Sequence, residues 1–157
     1  TDSELTSPKE AVESAGATTK VVSTETGEIE GKKGAKVAVD AKTADASVDE
    51  FDALILPGGT INADTIRTDA DAVALVKAFK DAGKPIGVIC HGGWILADAD
   101  LLKGVKLTSV ANVKTDLANA GANWVDEEVV VDSGFISSRT PDDLPAFNAT
   151  IVEEFAK

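Results

Sequence analysis

The sequence predicts an α/β fold in which a largely parallel sheet is sandwiched between helices. Three observations carry that reading. Short apolar runs alternate with amphipathic stretches for most of the 157 residues, as repeated strand–helix units require. The apolar run Pro85 to Ile89 stops abruptly at Cys90-His91-Gly92-Gly93, and a helical pattern resumes at Trp94-Ile95-Leu96-Ala97; this reads as strand, sharp turn, helix. Hydrophobic residues make up 43% of the chain, enough for a substantial core, and one domain over residues 1–157 is expected.

Taken in order, Thr6-Ser7-Pro8-Lys9-Glu10 carries a hydroxyl cap, an early proline and a following acid, which predict a helix start, with Gly16 as its end. Lys20 to Ser23 reads as a strand. Thr24 to Lys36 is polar, with turns expected at Gly27, Gly31 and Gly34, and Val37 to Val39 as a short edge strand. Ala41 to Asp49 reads as a surface loop. Phe51 to Leu56 is an apolar strand cut by Pro57-Gly58-Gly59, where consecutive glycines permit a tight turn or a close backbone approach. Asp71 to Ala82 carries Val73, Val76 and Phe79, with Ala72 and Leu75 widening the stripe, and reads as an amphipathic helix stopped by Gly83. Val105 to Val110 is a further strand and Val113 to Ala120 a helix ended by Gly121. Trp124-Val125, Val129 to Val131 and Phe135 to Ser137 complete the strands, the last two joined by a hairpin-like turn at Asp132-Ser133-Gly134. Thr140-Pro141-Asp142-Asp143 opens a final helix that runs to Phe155.

Composition narrows the functional classes. Fifteen basic residues against 27 acidic give a net charge of −12, which repels phosphate backbones and anionic membranes. Neither nucleic acid nor membrane is expected as a partner. No apolar run approaches the roughly 20 residues that cross a bilayer. Cys90 is the only cysteine and His91 the only histidine, so a zinc site of thiolates and imidazoles within one subunit is excluded, and no metal or cofactor is expected. A reducing, cytoplasmic setting fits a lone thiol.

The chemistry converges on the turn. At a strand-to-helix elbow a side chain is held at the carboxyl edge of the sheet, where open α/β folds place ligands and nucleophiles. The amino end of the next helix favours a thiolate there, so Cys90 is expected to have a lowered pKa. The alternative is a small buried hydrophobe. His91 is the candidate base, being the one side chain apart from Cys90 that normally titrates near neutrality. Trp94, one helical turn after Cys90, reads either as core or as the wall of a pocket. Arg139, ahead of the Thr-Pro-Asp-Asp helix start, reads as a structural ion-pair partner.

Several separated motifs then carry a likeness: Phe51-Asp52-Ala53-Leu54-Ile55-Leu56-Pro57-Gly58-Gly59, Gly83-Lys84-Pro85 leading into Ile89-Cys90-His91-Gly92, Asn123-Trp124-Val125-Asp126, Val129-Val130-Val131-Asp132, and Ser137-Ser138-Arg139-Thr140-Pro141-Asp142-Asp143-Leu144. Together, over about Glu4 to Lys157, they resemble the PfpI-like proteins of the superfamily that also contains the Parkinson-associated protein DJ-one. The resemblance implies a flavodoxin-like three-layer αβα sandwich that assembles as a homodimer or higher homo-oligomer. It implies Cys90 as nucleophile and backbone N–H groups of Gly58, Gly59 and His91 as an oxyanion hole, the arrangement that attack on a carbonyl needs. It implies that the family's first strand, and a glutamate that hydrogen-bonds the cysteine, stand upstream of the Glu4-Leu5-Thr6-Ser7-Pro8 segment, before the first residue of this sequence. Some relatives complete a Cys-His-Glu set with an acid from a neighbouring subunit. That position is Ala63 here, which leaves Asp64 as the candidate. The implied function is a cysteine-dependent, stress-protective hydrolase acting on small carbonyl compounds or glycated substrates. The alternatives are a redox-sensing or chaperone-like protein using an oxidisable Cys90, and an intracellular cysteine peptidase.

Overall fold

The computed structural model describes residues 2–23, 27–30 and 36–157. Helix α1 (Asp2–Ser14) leads into strand β1 (Val22–Ser23), followed by β2 (Gly27–Glu30), β3 (Lys36–Val39) and β4 (Ala41–Lys42). Then come β5 (Leu54–Leu56), α2 (Thr60–Arg67), α3 (Ala70–Asp81), β6 (Ile86–Ile89) and α4 (Trp94–Asp98). The chain closes with β7 (Lys106–Leu107), α5 (Lys114–Asn119), β8 (Asn123–Trp124), β9 (Val130–Asp132), β10 (Phe135–Ser138) and α6 (Leu144–Phe155).

The central sheet runs β5-β6-β10-β9. β5 and β10 flank β6 in parallel, and β9 pairs antiparallel with β10. Ser133 and Gly134 turn that hairpin with positive φ of 55° and 85°, the hand that matches strand twist. β1 with β4 and β7 with β8 form separate parallel pairs, and β2 with β3 an antiparallel one.

Alternation along the strands sorts the core onto two faces. Leu54, Leu56 and Phe135 face one apolar cluster, Ile55 and Ile136 the other. The first cluster receives Ala72, Val76 and Phe79 of α3, Leu96 of α4 and Leu117 of α5; the second receives Val12 of α1 and Leu144, Phe147 and Ile151 of α6. Positions 72, 76, 79 and 144, 147, 151 follow the helical period that lays one stripe on a sheet. Each fully buried phenylalanine, such as Phe79 or Phe147, contributes about 1.5–3 kcal/mol. Helices on both faces of a mainly parallel sheet make this the α/β sandwich that the pattern predicts.

Several local expectations differ. α1 starts at Asp2, with Pro8 inside it, rather than at Thr6-Ser7-Pro8. Burial of Val12 against α6 and a 2.8 Å hydrogen bond from Asn148 Nδ2 to Ser7 Oγ hold the helix, so tertiary contact outweighs the cap-like signal. The expected polar stretch Thr24 to Lys36 contains strand β2, and the expected loop Ala41 to Asp49 contains β4 and a one-turn 3-10 helix at Val48–Glu50. The turns expected at Gly31 and Gly34 lie outside the described residues. The strand expected over Val105 to Val110 keeps only Lys106–Leu107. Thr108 N–H instead donates to Ser137 Oγ at 3.1 Å, and Val110 N–H to Cys90 O at 3.4 Å. α2 has no counterpart in the sequence reading, since Thr, Ile, Asn and Asp are weak helix formers. No helix among the described residues is long and apolar enough to cross a membrane.

Candidate active site

β6 is buried along its whole length and paired on both sides, so it aims its carboxyl end rigidly. The chain leaves it through a one-turn 3-10 helix, Cys90–Gly93, directly into α4. Cys90 adopts φ of 60°, a left-handed conformation that costs an L-residue about 1–2 kcal/mol. Such strain is held by surroundings that leave no alternative. Gly92 supplies part of that restraint, because a Cβ there would lie 2.5 Å from the carbonyl oxygen of Leu56. Only a glycine lets the end of β5 press against the elbow.

The Pro57-Gly58-Gly59 turn closes over the sulfur from β5. A Cβ at Gly58 would lie 2.7 Å from Cys90 Cβ and would overlap Glu4 Oε1. Gly59, with φ of 90°, caps α2, and its backbone N–H and that of His91 hydrogen-bond the Cys90 sulfur. Of the three expected oxyanion donors, Gly59 and His91 therefore converge on the nucleophile, while Gly58 leaves room for the acid.

That acid is Glu4. It is fully buried on α1 and hydrogen-bonds the Cys90 thiol. The expected glutamate upstream of this segment is thus corrected: Glu4 itself occupies the place beside the sulfur. Glu4, Pro8 and Val12 are all buried, a spacing of four that puts an acid on the apolar face of a helix. That was the signal available in the sequence.

Electrostatics also corrects the expectation of a low thiol pKa. Burial first, and then the Glu4 charge, push Cys90 up to about 11, against the lowering effect of the His91 and Gly59 N–H groups. The expectation rested on a helix amino end with an acid beside the thiol, and it left out burial, the largest cause of the rise. His91 moves the other way: burial holds its imidazole below the ordinary 6.5, with the Glu4 charge opposing. A neutral imidazole at neutral pH is a proton acceptor, and its Nδ1 stands 3.2 Å from Cys90 Sγ. Neighbours in sequence, the two side chains meet because the left-handed turn at Cys90 swings them together.

On the solvent side, His91 Nε2 lies 3.3 Å from Thr60 Oγ1, a neighbour that the sequence reading did not single out. Trp94 sets its ring edge-on to His91 with centroids 5.2 Å apart, donates from Nε1 to Asp116 at 3.0 Å, and carries the Arg67 guanidinium over its face. Half-buried, it packs against the core and stands beside His91. Asp64 is exposed on α2, where its charge acts on Arg67. Arg139 grips the buried Asp143 with Nε and Nη2 at 2.8 and 2.9 Å and reaches Asp126 with Nη1 at 3.0 Å. The ion-pair role read from the sequence is what the geometry displays. A cavity of about 310 Å³ lined by Ser109, Trp124, Asp126, Arg139 and Thr140 adjoins the segment that hydrogen-bonds the Cys90 carbonyl. Among the described residues no group of three or more His, Cys, Asp or Glu side chains could hold a metal.

Comparison with known proteins agrees with this architecture. Residues 1–154 match the DJ-1/PfpI family model. The chain is 51% identical over 156 residues to a protein of Staphylococcus saprophyticus, covering 98% of this chain and 90% of that one. It is 46% identical over 148 residues to a Bacillus subtilis protein named "Putative cysteine protease YraA", covering 94% of this chain and 87% of that one. Among solved structures, a two-domain protein from Anabaena variabilis containing DJ-1/ThiJ/PfpI-like and ferritin-like domains superposes with a TM-score of 0.95 at 33% identity. The match covers 99% of this chain and 46% of that one, so the chain spans about half of the two-domain protein.

Proposed function

The chain belongs to the DJ-1/PfpI family, and from that premise we propose that it is a cysteine-dependent hydrolase acting on electrophilic carbonyls, of which glyoxals and their early adducts on amines are the substrate class. The observation that carries the reading is the strained Cys90 with its sulfur 3.2 Å from the Nδ1 of a neutral His91. His91 takes the thiol proton as the sulfur attacks, which removes the need for a preformed thiolate in a site that disfavours one. The new S–C bond forms as the carbonyl electron pair moves onto oxygen. The backbone N–H groups of Gly59 and His91 are the donors for that oxygen. The imidazolium then returns its proton to the oxygen, giving a hemithioacetal, or to an amine that leaves from the same carbon. Movement of the aldehydic hydrogen to the neighbouring carbonyl carbon through an enediol converts the adduct into a 2-hydroxyacyl thioester, and water hydrolyses it to a 2-hydroxy acid and the free Cys90 thiol. Glu4 keeps the thiol protonated until a substrate arrives.

A peptidase is the second reading, favoured by the name of the Bacillus subtilis relative; it uses the same thiol and base on an amide. The test is turnover by the wild-type protein of methylglyoxal, a glycated peptide and an unmodified peptide. Consumption of the first two supports the proposal, and cleavage of the third alone selects the peptidase. A protein inert toward all three, yet readily oxidised at Cys90 by peroxide, is a redox sensor.

A further inference from the structure

We infer that Thr60 is a positioning residue that fixes the tautomer of His91, so that the imidazole presents an unprotonated Nδ1 to the Cys90 thiol. The inference rests on the proposed base role of His91. A neutral imidazole carries one ring proton and one acceptor nitrogen, and what each nitrogen meets decides which is which. Nδ1 meets a thiol that burial and Glu4 keep protonated, at 3.2 Å. The one thiol proton faces Glu4 at rest, and the base role needs it to pass to Nδ1 as the sulfur attacks, so the imidazole's own proton belongs on Nε2. The group placed to receive the Nε2 proton is the Thr60 hydroxyl, 3.3 Å away.

The surroundings make this a fixed arrangement. Thr60 is the first residue of α2, directly after the Gly59 cap, so the turn that brings an N–H to the sulfur also sets the hydroxyl. Arg67, seven residues on and on the same face of α2, lies 5.0 Å from the Trp94 ring centroid and is tied to Asp98 at 2.8 Å. Trp94 in turn stands edge-on to His91. α2 thus contacts the elbow at both ends, and the imidazole is held between the hydroxyl and the indole. With Thr60 lost, the Nδ1–H form gains weight. That form donates toward the sulfur and cannot take its proton.

Because His91 is the only histidine, the test needs no assignment: ¹⁵N-labelled full-length protein shows one imidazole by NMR. In the wild type and in Thr60→Ser, Nε2 is the protonated nitrogen at pH 7.5. In Thr60→Val, which keeps the side-chain shape, signal shifts toward the Nδ1–H form, kcat/KM on the substrate identified by turnover falls about 10-fold, below the loss expected on removing a base, and KM stays within about twofold. Thr60→Ser restores the wild-type value. An unchanged tautomer in Thr60→Val overturns the inference, as does an Nδ1–H imidazole in the wild type. The spectra are read without substrate. A wild-type protein that turns nothing over therefore refutes the proposed function, while the role of Thr60 is still decided by NMR.

Discussion

Replacing Gly58 by alanine puts a methyl group where the structure has no room for one. The new Cβ stands 2.7 Å from Cys90 Cβ and overlaps Glu4 Oε1. Neither neighbour yields easily: Cys90 is locked in its left-handed turn, and the Glu4 side chain is fully buried. Overfilling of a close-packed site costs about 1–3 kcal/mol, and two rigid neighbours place this variant in the upper half of that range. For a chain of this size 1 kcal/mol moves Tm by about 2–4 °C, so a fall of about 4–12 °C is expected by calorimetry. Gly93→Ala is the control, because its Cβ meets side chains alone, Leu117 at 3.2 Å and Val88 at 3.9 Å, with none closer than 3 Å, and its backbone is already helical. It should lose less than about 1 kcal/mol, helped by the propensity of alanine. The two variants should also part in chemistry, since only Gly58→Ala disturbs Glu4 and the sulfur. Equal Tm values for the two variants would refute the claim that Gly58 is kept for the close approach of acid and thiol.

Two further outcomes follow from the charges. Glu4→Gln removes a negative neighbour and a carboxylate acceptor from the thiol, both of which raise its pKa; the midpoint of iodoacetamide alkylation against pH should move downward from the wild-type value. An unchanged or higher midpoint means that the proton rides on the carboxyl group and supports a thiolate. Asp143→Asn breaks the paired contact with Arg139 and should lower the urea midpoint of the protein at pH 7. The folded Asp143 has a lowered pKa, so its contribution is present above the unfolded carboxylate value and disappears as pH falls through the folded one. Urea titrations at pH 7 and pH 3 should therefore show a gap between the two proteins that shrinks with acid.

What was legible in the sequence was what a local pattern can encode. The run Ile86 to Ile89 ending at Cys90-His91 marked a central strand and its elbow, and the period of Ala72, Val76 and Phe79 marked a helix on the sheet. The Thr-Pro-Asp-Asp start of the last helix and the ion-pair role of Arg139 were equally local. The misses needed knowledge of contacts. α1 begins before its cap-like signal because α6 covers it, and α2 forms from weak helix formers because it is anchored at Gly59 and docks on α4. Glu4 lies 86 positions from Cys90 in the numbering, and its place beside the thiol exists only once α1 has folded against the sheet. The direction of the Cys90 pKa failed for the same reason. A helix amino end is visible in sequence, whereas burial and a distant carboxylate are not. The meeting of Cys90 with His91 depends on one positive φ that a strand-to-helix pattern does not specify.

The Cys90 sulfur is the atom that attacks in the proposed reaction. Intact-mass spectrometry of the protein quenched in acid during turnover of a carbonyl substrate tests this directly, with Cys90→Ser as the partner sample. The wild-type protein should carry a single adduct, mapped by peptide analysis to Cys90, that appears within a turnover and disappears as substrate is exhausted. The serine variant should keep the fold by circular dichroism, carry no adduct and lose turnover. Substrate consumption by Cys90→Ser at the wild-type rate, or an adduct located on any other residue, would contradict it.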